Sequence, residues 1–262
     1  MFAYLPTHIV VYLYVLAAVL GAVLGSALNC LSYRLAREQK WSGSERSACV
    51  HCGHTLSPRD LIPVVSFLLL RGRCRYCGEK LSRRYIATEL LLALVFVTIL
   101  WRFELTLSAL TAAVLCCCLL CLSLVDLETQ IIPDRFLVIP AVARAIQLLM
   151  EGGLAGLGRG VLPGLIIGGG MLALSLVMDK ILKKDTMGGG DIKLLALLGM
   201  FFPLPQCLLL VMIACVVGIA MAAILMKVDS ETAFPFGPAL AIAAWVTLLF
   251  GEGIVSWYLS LF

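Results

Sequence analysis

The feature that most constrains this chain is a series of long apolar runs separated by short polar stretches. Of its 262 residues, 61% are hydrophobic and 14% are charged, whereas soluble domains are about a quarter charged and about half apolar. A helix needs about 20 mostly apolar residues to cross the hydrocarbon core of a bilayer. The sequence therefore predicts an all-α polytopic membrane protein, and it excludes a disordered chain, a coiled coil and a disulfide-stapled secreted module.

Eight apolar stretches are candidate transmembrane helices. They cover residues 8–31, 85–101, 107–125, 133–150, 161–178, 192–202, 206–226 and 238–250. The sixth stretch is short for an independent span. A glycine-rich turn from Gly152 to Gly160 is predicted to separate the fourth stretch from the fifth. We predict a first transmembrane helix at residues 1–31, a cytoplasmic loop domain at 32–84 and a transmembrane bundle at 85–262.

Basic residues are concentrated in the predicted loop domain. Residues 32–84 contain eleven of the 20 Lys and Arg residues and only four acidic residues. A basic cluster can bind nucleic acid, but beside transmembrane helices it more often marks a cytoplasmic loop, and we expect no nucleic-acid partner. If the N-terminus is outside and the chain crosses the membrane eight times, Arg102, Arg144 and Arg159 are the only basic residues on the outer side. The other Lys and Arg residues are then cytoplasmic, as the positive-inside rule requires.

The loop domain contains two C-x-x-C-G sequences, formed by Cys49 with Cys52 and by Cys74 with Cys77. Four thiolates at this spacing predict one structural zinc with tetrahedral coordination. Two disulfides or a redox pair are the alternatives. A reducing cytoplasm disfavours disulfides, and a redox site would need only one C-x-x-C pair. We expect the neighbouring His51 and His54 to be exposed loop residues, and the cysteines in the apolar runs to pack as small hydrophobic side chains.

Two aspartates border the apolar runs on the side predicted to be cytoplasmic. Asp126 ends the third run, and Asp191 follows three glycines that begin at Gly188. Ionisable groups at such positions are costly and need an explanation. If the two carboxyl groups meet, they can share one proton, one acting as a base toward water and the other as an acid toward a carbonyl. The alternatives are that they cap helix ends or belong to an ion or proton pathway.

Several motifs together resemble the type IV prepilin peptidases, a family of G-x-G-D aspartic membrane proteases. The segment Met187-Gly-Gly-Gly-Asp191-Ile-Lys193 resembles the family's G-x-G-D motif. The remaining similarities occur in family order along nearly the whole chain. They are Gly25-Ser26 with Asn29 and Tyr33-Arg34-Leu35, the double C-x-x-C around Asp60-Leu-Ile-Pro63-Val and Leu70-Arg-Gly-Arg73, Asp126 with Ile132-Pro133-Asp134, and Phe236-Gly237-Pro238.

The resemblance implies a function and a site. Such enzymes remove the basic leader of type IV prepilins and type II secretion pseudopilins at the cytoplasmic face of the bacterial inner membrane. Many then methylate the new N-terminus with S-adenosylmethionine. Asp126 and Asp191 would be the catalytic pair, with Lys193 and Asp134 as possible neighbours. The chain has no glycine-rich nucleotide loop that identifies a methyl-donor site, so no residues are assigned to it.

Two other kinds of protein remain as alternatives. A presenilin-like intramembrane protease also has a G-x-G-D motif, but this class does not account for the double C-x-x-C or for Phe236-Gly237-Pro238. A non-enzymatic scaffold or transporter with a zinc-stabilised loop would tolerate Asp126→Asn and Asp191→Asn. The oligomeric state is left undetermined.

Overall fold

A computed structural model describes residues 5–37, 47–184, 187–225 and 235–261. Over these residues the chain is helical, with two isolated β-bridges. The helices are α1 (Thr7–Ala36), a 3₁₀ helix (Pro58–Leu61), α2 (Val65–Leu69), α3 (Arg84–Phe103), α4 (Leu107–Thr129), α5 (Arg135–Leu182), α6 (Gly189–Leu198), α7 (Leu204–Leu225) and α8 (Gly237–Leu259). The end of the predicted seventh span at residue 226 and the loop-domain residues 38–46 lie outside the described residues.

The prediction of an all-α polytopic membrane protein is confirmed. Within the described ranges, six helices are long and apolar enough to cross a membrane: α1, α3, α4, α5, α7 and α8. The chain divides into two compact units, Met1–Ala109 and Leu110–Phe262. The three predicted regions, with boundaries at 31 and 84, stay a prediction.

In the first unit, α1 packs along α3. Two glycines of α1 allow this close contact. A Cβ atom at Gly21 would lie 2.5 Å from the carbonyl oxygen of Leu92, and one at Gly25 would lie 2.8 Å from that of Thr88. Gly25, which belongs to the motif near the end of the first predicted span, therefore serves helix packing, because any side chain there would push the two backbones apart.

In the second unit, the fourth and fifth predicted spans form one 48-residue segment, α5, with a break at Gly153. A straight helix of this length would extend about 72 Å, more than twice the hydrocarbon core, so the break is needed to divide it. The predicted turn from Gly152 to Gly160 is too wide. Only Gly153 leaves helical geometry (φ 58°, ψ −152°), because a single glycine with positive φ is enough to redirect the chain.

The short sixth stretch forms α6, which has ten residues and would extend about 15 Å. This is about half the hydrocarbon thickness, so α6 does not cross the membrane alone. It packs against α5, where Gly168 makes room for Ala196. Gly199, just after α6, meets Gly164: a Cβ on Gly199 would lie 2.5 Å from the Cα of Gly164. These glycines let α6 sit deep in the second unit, with Leu194, Leu195 and Leu198 almost fully buried.

Candidate active site and cysteine cluster

Asp126 lies in the last turn of α4, inside the second unit. Its side chain is buried, with 4% of the residue exposed. A carboxylate is disfavoured at the C-terminal end of a helix by the helix dipole, so Asp126 does not stabilise α4, and it cannot be an N-cap. Its Oδ2 accepts a hydrogen bond from the backbone N–H of Gly237 at the start of α8, over 3.0 Å. The structure therefore holds this carboxylate through a distant part of the chain.

Asp191 lies in the first turn of α6, outside the six candidate spans. Gly188 is the N-cap of α6 and provides no side-chain cap. Burial raises the pKa of Asp191 to about 6, and the negative charge of the nearby Asp126 adds to this shift. Among the described residues, neither aspartate forms an ion pair with a basic side chain. The two carboxyl groups that the sequence singled out thus lie close enough to interact electrostatically, although 65 positions separate them.

The loop between α4 and α5 packs against Gly190, the glycine directly before Asp191. A Cβ at Gly190 would lie 3.0 Å from the Cβ of Ile132, which is tighter than ordinary contact, whereas one at Gly189 would meet nothing within 4 Å. Nearby, the Nζ of Lys193 donates to Asp134 over 2.8 Å in an exposed ion pair. Such exposed pairs contribute little stability. The contact of Ile132 with Gly190 places this loop against the first turn of α6, directly before Asp191.

The four cysteines of the two C-x-x-C sequences form one cluster. Their sulfur atoms all lie within 4.8 Å of one another, and the Sγ atoms of Cys49 and Cys77 are 4.0 Å apart. Four sulfurs placed about 2.3 Å from a tetrahedral zinc would be about 3.8 Å apart, so the cluster fits this metal. Cys49 and Cys74 are buried, whereas Cys52 and Cys77 are exposed. The predicted ligand set is brought together, and it could hold zinc.

The two cysteine turns have the same construction. Each is closed by one β-bridge, Ala48 with Thr55 and Arg73 with Lys80. Gly53 and Gly78 have φ values of 68° and 73°, which explains why glycine follows each second cysteine. The backbone N–H groups of Cys77 and Tyr76 lower the pKa of Cys74 to about 7, whereas burial and the neighbouring thiols raise the pKa of Cys77 to about 11. Without a metal the four sulfurs therefore do not all ionise together, and a bound cation would favour the thiolate form.

Asp60 anchors the second cysteine turn to the 3₁₀ helix. Its carboxylate accepts hydrogen bonds from the Ser57 hydroxyl over 2.7 Å and from the Nε of Arg75, also over 2.7 Å. The Tyr76 hydroxyl donates to it over 3.2 Å. Hydrogen bonds from Ser57 and Arg75 lower the pKa of Asp60 to about 2. Because Arg75 and Tyr76 separate the two cysteines of that turn, Asp60 fixes its orientation.

Glu89 is a buried acidic residue that the sequence-based predictions missed. It lies in α3 and is 6% exposed, and its Oε2 accepts a hydrogen bond from the backbone N–H of Val64 over 2.7 Å. Val64 has a φ of 62°, a costly conformation for a β-branched residue. A carboxylate within an apolar run signals a buried partner, and this signal would have identified Glu89.

These features define a class: a multi-pass membrane protein with a four-cysteine loop and a pair of neighbouring aspartates in its second unit. Comparison with known families gives two matches. The bacterial peptidase A24 N-terminal domain matches residues 19–103, and the type IV leader peptidase family matches residues 113–223. The chain belongs to the type IV leader peptidase family, and it is therefore a membrane peptidase.

Individual relatives agree with this assignment. A prepilin leader peptidase/N-methyltransferase of Aeromonas hydrophila is 34% identical over 223 residues, which cover 83% of this chain and 76% of the relative. The protein of that name from Stutzerimonas stutzeri is 36% identical over 220 residues, covering 82% and 75%. One from Pseudomonas aeruginosa is 34% identical over 217 residues, covering 82% and 74%. No solved structure matches the chain.

Proposed function

We propose that this protein removes the leader peptide of type IV prepilins or pseudopilins and that Asp126 and Asp191 are its catalytic pair. The observation that carries the assignment is the proximity of two aspartates that have no basic partner among the described residues. Neither serves its own helix as an N-cap, and Asp126 is buried at the helix end where a carboxylate is unfavourable. Family membership and the names of the relatives supply the substrate class.

In this proposal the two carboxyl groups have different roles. Asp191, with its raised pKa, holds the shared proton and donates it to the carbonyl oxygen of the scissile peptide bond. Asp126 removes a proton from water, whose oxygen attacks the carbonyl carbon. The resulting tetrahedral intermediate carries two hydroxyl groups. It collapses when the carbon–nitrogen bond breaks, the amine leaves with the proton held by Asp126, and one hydroxyl group returns its proton to Asp191. Gly237 keeps Asp126 oriented through its N–H group.

The glycines before Asp191 suit an extended peptide as substrate. Gly189 has open space where a Cβ would be, so a substrate backbone can approach α6 closely. We place the reaction at the cytoplasmic face of the bacterial inner membrane, because the positive-inside rule locates this edge of the spans there.

We further propose that the new N-terminal amine is methylated, as the relatives' names imply for them. S-adenosylmethionine is the expected donor of the methyl group. We assign no residues to it. Zinc, held by Cys49, Cys52, Cys74 and Cys77, would have four protein ligands and no open position, so its role is to stabilise the loop rather than to activate water.

Intact-mass measurement of a prepilin incubated with the purified protein tests this function. We expect a product shortened by the leader, and, when S-adenosylmethionine is added, one that is heavier by a methyl group. Cleavage without methylation would remove only the second part of the proposal. If several prepilins stay intact when incubated with zinc-loaded, folded protein, the proposed cleavage fails and the scaffold or transporter alternative replaces it.

A further inference from the structure

An exposed apolar surface lies between the two cysteine turns, outside the candidate spans. We call it the α2 surface; it consists of Leu61, Ile62, Val65, Leu68 and Leu69. All five side chains are exposed, up to 77% for Leu69, and α2 buries none of its residues. Contiguous apolar side chains of this kind are unfavourable in water and mark a contact with a protein or a membrane.

The α2 surface belongs to a well-defined part of the fold. The Phe67 ring packs on Gly72, where a Cβ would lie 2.9 Å from it, and the N–H of Gly72 donates to the Phe67 carbonyl over 2.8 Å. The carbonyl of Gly72 accepts from the N–H of Leu81, also over 2.8 Å. These bonds attach α2 to the second cysteine turn, so its exposed leucines are presented by a fixed scaffold.

Glu89 ties the α2 surface to the beginning of α3. The residue lies five positions after Arg84, where the spanning helix α3 begins, or about 7.5 Å along the helix axis. Its hydrogen bond to the N–H of Val64 holds the start of α2 at the same level. Helices that lie in a membrane interface bury their apolar side chains about 5–10 Å into the boundary between headgroups and acyl chains. The hydrogen bond therefore keeps the start of α2 beside the second turn of a candidate membrane-spanning helix.

The charges beside the surface favour an anionic membrane. Arg59 precedes it, and Arg71 and Arg73 follow it; all three are exposed. Asp60, the acidic residue next to the surface, is neutralised by its ion pair with Arg75. The flanks of the α2 surface are thus positive, and such clusters beside a spanning helix attract anionic lipid headgroups.

We propose that the α2 surface is a membrane-docking site, with its leucines among lipid acyl chains and Arg59, Arg71 and Arg73 on the phosphates of anionic lipids. The contact pins the cysteine loop to the leaflet in which α3 begins. It does not depend on the peptidase activity. The apolar segment of a prepilin is the competing occupant, and the experiment distinguishes it from lipid.

The experiment uses the full-length protein in lipid nanodiscs containing phosphatidylcholine and phosphatidylglycerol. A fluorescent non-natural amino acid replaces Leu69 or, as a matched control, the exposed Glu79 on the second cysteine turn. We expect acyl-chain spin-labelled lipid to quench the probe at 69 several-fold more strongly than the probe at 79, and aqueous iodide to show the reverse order. Zinc content and prepilin cleavage verify that each labelled protein is folded.

Equal iodide access at the two positions, without quenching by lipid, would overturn the proposal. Shielding of position 69 only after prepilin is added would assign the surface to the substrate instead. The role of the arginines has its own test: replacing phosphatidylglycerol by phosphatidylcholine should weaken quenching at 69. The Arg59→Gln, Arg71→Gln, Arg73→Gln triple variant should lose this lipid dependence, and retention of the full dependence would contradict the arginine contacts.

Discussion

The backbone N–H of Gly237 donates a hydrogen bond to the Oδ2 of Asp126 over 3.0 Å, although 111 positions separate the two residues. The bond joins the start of α8 to the last turn of α4. It explains a motif that the sequence marks only by resemblance, Phe236-Gly237-Pro238. Gly237 has no room for a side chain, because a Cβ there would lie 2.7 Å from the same carboxylate oxygen. The glycine is therefore part of the aspartate's environment.

The first prediction concerns this contact. Gly237→Ala should displace the Asp126 carboxylate and lower kcat/KM for prepilin cleavage on the order of a hundredfold, as small misplacements of reacting groups do. Gly253→Ala, in the same helix, is the matched control, since a Cβ at Gly253 meets nothing within 4 Å. Initial rates and zinc content are measured for both variants. Similar rates for the two would show that the Gly237 contact does not position the site.

The second prediction compares the adjacent glycines before Asp191. Both Gly189→Ala and Gly190→Ala favour the helix by up to about 1 kcal/mol, but only the second crowds Ile132. We expect Gly190→Ala to lower kcat about tenfold through misplacement of Asp191. Gly189→Ala, whose Cβ meets no protein atom but borders the proposed substrate path, should raise KM and leave kcat close to wild type. A larger loss of kcat for Gly189→Ala than for Gly190→Ala would contradict the positioning role of the Ile132 contact.

The third prediction follows from the pKa of Asp191, which is raised from 3.8 to about 6. A carboxyl group whose pKa is higher in the folded state contributes stability that is complete below its unfolded pKa and is lost as the pH rises through its folded pKa. The asparagine in Asp191→Asn does not titrate, so the variant does not lose this stability as the pH rises. The melting temperature of Asp191→Asn relative to wild type should therefore increase between about pH 4 and pH 7 and then level off.

This difference is measured by thermal unfolding in one detergent across the pH range, so that other titrating groups affect both proteins equally. Asp134→Asn is the control, because Asp134 is exposed. A stability difference for Asp191→Asn that stays constant with pH would mean that Asp191 is not held in a desolvated, negatively charged environment.

The fourth prediction concerns the metal. Purified protein should contain about one zinc per chain, and Cys74→Ser should lose it and make the loop more sensitive to protease. Cys215→Ser alters an exposed cysteine outside the cluster. This variant should retain its zinc, and its loop should stay resistant to protease. Metal analysis with limited proteolysis measures both effects. Zinc-free wild type with a protease-resistant loop would rule out a structural metal.

The sequence contains strong signals for the membrane helices, the cysteine cluster and the two aspartates. In each case the signal is local: the length of an apolar run, the spacing of Cys49 and Cys52, or glycines directly before Asp191. Composition and short spacings encode these features because each depends on neighbouring residues. The all-α membrane fold and the gathering of the four cysteines were predictable for that reason.

The features that were not predictable depend on contacts between distant residues. Nothing near Gly237 indicates that its N–H faces Asp126, and nothing near Val64 indicates a bond to Glu89. The break of α5 is another case. Several glycines lie between 152 and 160, and local propensity does not show that only Gly153 adopts non-helical geometry. Tertiary packing decides such points and overrides propensity.

The catalytic role of Asp126 and Asp191 is tested most directly by initial rates of prepilin cleavage for Asp126→Asn, Asp191→Asn and the control Asp134→Asn. Loss of general acid–base catalysis should lower the rate of the first two variants by on the order of a thousandfold or more, with zinc retained. Asp134→Asn should cleave at close to the wild-type rate. Cleavage by folded Asp126→Asn or Asp191→Asn within about tenfold of wild type would contradict an aspartate-pair mechanism.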